Sequence, residues 1–455
     1  MTGNPGELFC PLEFRYGRPE VRALFSREVR LRRALRIEAA LAESEAELGV
    51  IPAEAATAVA AAALGPTVTL AEVDRLERDL KHDVMAIVRA LAERSGPGGR
   101  WVHYGATSSD ITDTALALEL QDSIRVLRGD LTELAAILTD LAQKYRATPE
   151  VGRTHGQHAV PISFGYKMAV SAAEILRHRR RLDQLGARLC VGKMSGAVGT
   201  GAGFGGKSAE VESAVMRRLG LQADEAPTQI VGRDRIAEFT NWLALVAGTA
   251  ERLGTEVRNL QRSEIAEVQE PFDESRQVGS STMAQKRNPM LSENVTSLAR
   301  LVRAFALPPL ENMVQWHERD LSNSANERVV LPHAIVLTDD ILRKLIEIHG
   351  GLKVDAERMA LNLSLSGGGV MVENLMLALT VRGVPRADAH ELLRNLSRPD
   401  AAGTTLAARA KSDEVLRRHF SAEEVDQLLD PGIYVRAAAT KTERVVESLR
   451  RELES

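Results

Sequence analysis

Four polar clusters interrupt a chain otherwise rich in Ala, Leu, Glu and Arg, and each carries groups suited to an anionic substrate. Residues 277–289, QVGSSTMAQKRNP, place Ser280 and Ser281 after Gly279, with Lys286, Arg287 and Asn288 a few residues on. Two serines after a glycine can form an ordinary turn. The nearby cations allow a second reading, because opposite charge favours an ionised hydroxyl and can hold a carboxylate. The run DLKHDVMA sets His82 on a predicted helix, where an imidazole is either a structural or solvent-facing group or a proton carrier. HYGATSSD puts Thr107, Ser108 and Ser109 ahead of Asp110 and a predicted helix. Such side chains cap free helical N–H groups, and the same N-terminus can cradle a carboxylate or phosphate. In GRTHGQHAVP, His155 and His158 lie three apart, with no Cys or carboxylate nearby to complete a zinc set, so no metal is expected. His155 is better read as a general acid or base.

These groups need a scaffold, and periodicity supplies one. Leu120, Ile124, Leu127, Leu131, Leu134, Leu138 and Leu141 recur in steps of three and four. Ile236, Phe239, Leu243, Val246, Ala250, Leu253, Val257 and Leu260 do the same. Each run makes one apolar seam along a helix of about 20 to 25 residues, and helices this long need long partners. A bundle follows, and the fold class is all-α. ERSGPGGR (93–100) and SLSGGG (364–369) break the helical pattern. They divide the chain into an N-terminal helical domain (1–109), a central long-helix bundle (110–360) carrying a loop at 275–290, and a C-terminal helical domain (361–455). GAGFGG (201–206) matches G-x-G-x-x-G with Asp224 beyond it. Helical patterns flank it where a strand–helix–strand unit is required, so it reads as a flexible inter-helix connection.

Bulk properties exclude several classes. Apolar and charged fractions of 44% and 26% over 455 residues are those of a soluble globular protein. A formal charge of −4 gives no electrostatic ground for nucleic acid. Only Cys10 and Cys190 are present, which is no disulfide framework. The start lacks a signal-peptide pattern, and no apolar run reaches the roughly 18 residues of a membrane span. A cytoplasmic protein without membrane partners is expected.

Together the clusters resemble the fumarase/aspartase superfamily of lyases, and within it the adenylosuccinate lyase family. GSSTMAQKRNP is similar to the superfamily's loop G-S-S-x-M-x-x-K-x-N-P. TSSD, RTHGQHAVP, GKMSGAVGT and WHERDLSNSANER follow in the family's order, and the likeness runs from FRYG to the C-terminal helices. It implies elimination from a succinyl group with release of fumarate, from adenylosuccinate to give AMP and from the succinylated imidazole carboxamide ribotide. Ser280 would be the base, His155 the general acid and Glu293 the carboxylate that orients it. Lys286 and Asn288 would hold a carboxylate, and His82 would sit near the phosphate and leaving group. Thr107, Ser108, Thr154, Gln229, Ser281 and Met283 would contact substrate. Arg15, Tyr16, Arg319, Ser324 and Arg328 would meet the nucleotide phosphate. The resemblance implies no cofactor. It also implies a homotetramer built on the central bundle, with active sites shared between subunits. The loop at 275–290 is expected to be mobile without ligand, because polar Gly/Ser loops that gate catalysis are low-stability elements.

The loop departs from the family at Ala284, commonly Pro, and Gln285, commonly His or Tyr. That departure keeps a sister lyase open, acting on another aspartate-derived adduct or on nitrosuccinate, or resembling a carboxymuconate cycloisomerase. A non-catalytic helical scaffold is opposed by the intact Ser280, Lys286, Asn288 and His155.

Overall fold

A computed structural model describes residues 9–398 and 404–454. Helices dominate it, as the seams require, and the strands form three two-stranded pieces. The elements that position the candidate groups are, in chain order, α1 (Arg27–Glu47), α2 (Asp83–Arg94), α3 (Ser108–Lys144), β1 (Pro149–Thr154), β2 (Gln157–Ser163), α4 (Phe164–Leu189), α5 (Asp234–Leu260), α6 (Met290–Ala304) and α7 (Ser324–Gly350).

All eight positions of the second seam are buried along α5. On α3, Leu127, Leu131, Leu134 and Leu138 are fully buried, and Ile111, Ala117 and Leu118 extend the seam upstream. The helix therefore runs 37 residues, longer than the periodicity alone suggested, or about 55 Å. No single helix among the described residues is long and apolar enough to cross a membrane.

The described residues fall into two compact units. The first takes those up to Leu131 with His178–Glu251 and Ser297–Arg343; the second takes Thr132–Arg177, Arg252–Thr296 and those from Lys344 on. In the first, Ile37 and Leu41 of α1 pack with Ile111, Met194 and Val215, while Leu35 of the same helix packs with Val59, Ala90 and Leu91. In the second, Val151 of β1 is buried among Leu375, Leu379, Leu393 and Leu416 of the C-terminal helices.

Two buried ionisable groups make stability depend on pH in opposite directions. His349, near the end of α7, bonds the Leu345 carbonyl through Nδ1 at 2.8 Å. Burial pulls its pKa from 6.5 down to about 4. The fold favours its neutral form, so this contribution is full above pH 6.5 and is lost as pH falls towards 4. Glu45 on α1 is buried, with neither carboxylate oxygen hydrogen-bonded among the described residues. Burial, then the nearby charge of Glu38, push it from 4.5 up to about 8. Its contribution is full below pH 4.5 and is lost as pH rises through 8. Urea unfolding at several pH values should therefore show His349→Leu losing about 3 kcal/mol less than wild type between pH 6.5 and 4, at roughly 1.4 kcal/mol per pKa unit. Glu45→Met should gain stability relative to wild type at pH 8.5 more than at pH 5.

Candidate active site

Arg233 ends the loop that leads into α5 and is 7% exposed. Its Nη1 donates to Asp113 Oδ2 on α3 at 2.8 Å, and Nη2 to Oδ1 at 3.0 Å. Its Nε donates to Glu327 Oε1 on α7 at 2.9 Å. Asp113 also accepts the Val231 N–H at 2.8 Å. One buried cation thus ties together the N-terminal ends of three helices. Burial opposes its charge, but the two carboxylates outweigh that and raise its pKa further. Helix N-termini carry unpaired N–H groups and partial positive charge, so bringing three together favours an anion.

A second set of bonds runs through the same unit. Arg319 Nη1 donates to Ser109 Oγ at 2.8 Å and to Gln229 Oε1 at 3.1 Å. Gln229 Nε2 donates to the Ala197 carbonyl at 2.8 Å. Asp110, fully buried, accepts the N–H groups of Thr107 at 2.8 Å, Ser195 at 3.0 Å and Gly196 at 3.1 Å, and pairs with buried Lys193. The Thr107–Asp110 contact is half of a capping box, so Thr107 and Ser108 are fixed at the α3 N-terminus. A cavity of ≈ 350 Å³ is lined by Ala197, Gln229, Trp316, His317 and Arg319, among others. The buried Nε of Arg319 has no hydrogen-bond partner among the described residues.

Ser324 opens α7, and Arg328 one turn later donates to Asp83 Oδ2 at 2.8 Å. His82 caps the helix that Asp83 begins, its Nδ1 accepting the Met85 N–H at 3.3 Å. In the neutral ring this leaves Nε2 to carry the proton. Arg15 is exposed, its guanidinium 5.9 Å from the Tyr16 ring. The segment is docked just downstream, where the Gly17 N–H donates to Asp340 at 3.0 Å and Arg18 binds Asp130 and Asp339. Residue 17 must be glycine: φ is +78°, and a Cβ would meet Val336 at 2.2 Å. Burial, aided by Asp339, pushes Asp130 up to about 8 against the pull of Arg18.

In the second unit, the loop before α6 holds Ser280 so that its Oγ accepts the N–H groups of Thr282 at 3.3 Å and Met283 at 3.1 Å. Two N–H dipoles on that oxygen favour its ionised form. Gly279 lies so close to the Lys286 carbonyl that a Cβ would sit 2.0 Å from it. Asn288 Nδ2 donates to the Gly279 carbonyl at 2.7 Å and closes the same fold, so part of its amide serves the loop itself. Arg287 stacks on Phe272 at 4.5 Å and pairs with Glu274. Ser281, Met283, Lys286 and Glu293 are exposed. Glu270, 2% exposed, accepts the N–H groups of Leu291 and Ser292 at 2.9 and 3.0 Å and so caps α6.

His155 and Gly156 form the two-residue turn between β1 and β2, with φ of +53° and +72°. Positive φ at both positions is what a type I′ hairpin turn demands, and it is strained for a non-glycine residue. His155 and Thr154 are exposed. Below them Arg153 donates to both oxygens of Glu267, at 2.9 and 2.6 Å, and Asn362 bonds the same carboxylate at 2.8 Å. Burial pushes Glu150, also on β1, up to about 7 against the pull of Lys167.

The structure joins Gln229 to Arg319, joins His82 to Arg328 through Asp83, and gathers Ser280, Lys286 and Asn288 in one loop. Among the described residues no hydrogen bond runs from His155 to Glu293 or Ser280. Arg233, Asp113, Glu327, Lys193, Glu267 and Glu270 were not anticipated. The T-x-x-D spacing was a usable signal for Asp110 as a cap, whereas Glu270 has no local signal. The connection expected at 201–206 leads into the helix Ser208–Leu219. Ala202–Lys207 is two 3₁₀ turns that meet at a kink at Gly205, where φ is +62°, and its Phe204 is buried, packed so closely that a Cβ on Gly105 would strike its ring at 2.6 Å. Arg233→Met should lower stability by about 3–5 kcal/mol in urea unfolding, because two buried carboxylates lose their partner. A loss under 1 kcal/mol would count against the clamp.

A family model described as "Lyase" matches residues 13–304, and one described as "Adenylosuccinate lyase C-terminus" matches residues 368–445. An adenylosuccinate lyase of Methanothermobacter thermautotrophicus is 44% identical over 96% of this chain and 98% of its own. Among solved structures, a fumarate lyase from Mesorhizobium sp. BNC1 superposes with a TM-score of 0.87 at 30% identity, over 95% of this chain and 98% of its own. A 3-carboxy-cis,cis-muconate lactonizing enzyme from Pseudomonas putida does so at 0.86 and 35%, over 96% and 98%. Helical scaffold, signature loop and sequence identity agree: the chain belongs to the adenylosuccinate lyase family of the fumarase/aspartase superfamily.

Proposed function

We propose that this chain is an adenylosuccinate lyase, releasing fumarate from adenylosuccinate to leave AMP, and from the succinylated imidazole carboxamide ribotide. The observation that carries this reading is the 44% identity to an adenylosuccinate lyase along 96% of the chain. The reaction removes a weakly acidic Cβ proton and breaks the bond from Cα to nitrogen. Ser280 takes the proton, the electron pair becomes the fumarate double bond, and His155 protonates the departing nitrogen. Negative charge grows on the adjacent carboxylate as the proton leaves. Lys286 and Asn288 hold that carboxylate, and the N-terminus of α3 with Thr107 and Ser108 holds the succinyl end. Glu293 orients His155. Arg15, Tyr16, Arg319, Ser324 and Arg328 take the phosphate, with His82 beside it.

His155 and Glu293 are both exposed, and in this reading the chain forms a homotetramer whose subunits complete one another's sites. The segments 1–109, 110–360 and 361–455 are its three domains, and the assembly works in the cytoplasm. A second reading, a cycloisomerase or lactonizing activity on a carboxymuconate, is favoured by the 35% identity to the Pseudomonas putida enzyme. The family match at residues 368–445 favours the first.

Purified protein offered adenylosuccinate should release fumarate and AMP, followed by absorbance and chromatography. Ser280→Ala and His155→Ala should each lower kcat by about 10² to 10⁴ while the protein stays folded. Near-normal turnover by Ser280→Ala would remove it as the base. A folded wild type that ignores adenylosuccinate but converts 3-carboxymuconate would establish the second reading.

A further inference from the structure

We infer that Ser109, with the buried Asp110–Lys193 pair, positions Arg319 so that one edge of its guanidinium is left unpaired for a substrate anion. The inference rests on the proposed function, in which Arg319 meets an anionic group of adenylosuccinate. Its basis is a closed circuit of bonds. Asp110 holds the backbone of Ser195 and Gly196, and the next residue, Ala197, accepts the Gln229 amide. Gln229 accepts Nη1 of Arg319, the same nitrogen reaches Ser109 Oγ, and Ser109 adjoins Asp110 in the chain. Lys193 neutralises Asp110 at the root of the circuit and is itself fully buried, its backbone N–H and carbonyl both bonded to Thr114 Oγ1 at 3.0 and 2.9 Å.

The chemistry of Arg319's partners sets it apart from Arg233. Arg233 is neutralised by two carboxylates. Among the described residues Arg319 donates to a hydroxyl and an amide and to no carboxylate, which fixes its direction without a matching bonded charge. Asp320, the adjacent acid, has its oxygens on the N–H groups of Trp316 and Ser322 at 2.9 and 2.7 Å. The Nε of Arg319 is buried, lacks an acceptor among the described residues, and belongs to a residue that lines the cavity. A carboxylate or phosphate oxygen entering there supplies the missing acceptor, and a planar guanidinium fixed at one corner meets it in fork geometry. Ser109, Asp110 and Lys193 touch no substrate in this account. They are positioning residues, and their loss is felt in binding.

The test measures KM, kcat and thermal midpoint for the intact protein with adenylosuccinate, in wild type, Ser109→Ala, Ser109→Thr and the double variant Asp110→Asn with Lys193→Gln. The double variant removes both charges together, so no buried ion is stranded. Ser109→Ala should raise KM about tenfold, as expected for one lost hydrogen bond to a charged group, and lower kcat by less. Ser109→Thr, which keeps the hydroxyl, should recover most of that loss, and the double variant should raise KM in the same sense. An active wild type with KM unchanged in both Ser109→Ala and the double variant, whatever their melting temperatures, overturns the inference and leaves these residues structural. A wild type without turnover defeats the functional reading, and this inference with it.

Discussion

Arg233 is charged, buried and bonded to carboxylates from two helices, an arrangement that costs much of what its charge pairs return. Apolar residues of the same volume would hold three helices together about as well. What they would not supply is direction. A planar guanidinium with a bidentate bond to Asp113 and a bond to Glu327 fixes the start of α5 against the first turns of α3 and α7. Those turns carry Thr107, Ser108 and Ser324, so the clamp sets the spacing between groups that would face one substrate. The field of three helix N-termini comes with the geometry.

The same division of labour recurs elsewhere. Charges that shape the site are buried and matched: Asp110 with Lys193, Glu267 with Arg153, Glu270 with the backbone of α6. The groups assigned to chemistry are held by neutral atoms or left open. Ser280 receives two backbone N–H groups, Arg319 a hydroxyl and an amide, and Lys286, Glu293 and His155 are exposed. A matched charge is held in place; an unmatched one is left for a substrate to meet. His155 adds backbone strain, carried in a hairpin anchored by Val151 in the core and by the Arg153–Glu267 pair. Strain of this kind persists only where surrounding contacts over-determine the conformation.

How much of this could be read from the sequence depends on the range of each interaction. The α5 seam was legible to its last residue, because burial follows local periodicity. The length of α3 was not, since its first two turns bury the polar Ser109, Asp110, Asp113 and Thr114 alongside Ile111, and buried polar residues break the apolar pattern. The loop at 279–288 was legible as a chemical unit because its serine, lysine and asparagine lie within ten residues. The partners that steer Arg319 and Arg233 were invisible, lying 90 to 210 and 94 to 120 residues away. Periodicity and spacing carry no signal over such distances. The glycines at 201–206 have a packing reason of the same long-range kind: they permit close approach of the 103–107 segment, and that need is visible only once Phe204 is seen against Gly105.

The two departures in the signature loop can be weighed in the same physical terms. Proline at 284 would fix φ, and alanine does not. In this chain Arg287 donates to the Ala284 carbonyl at 2.8 Å, while its other end is held by Glu274 and the Phe272 ring. That brace restrains the loop at residue 284 through a carbonyl that either residue would present. Gln285 is exposed and takes no part in the bonds that orient Ser280 or Asn288. The changes therefore bear on what the loop's outer surface meets, while the hydroxyl, the ammonium and the glycine fold behind them stay as the proposed elimination would require. A difference in substrate would be written at residue 285 and not in the groups proposed to move protons.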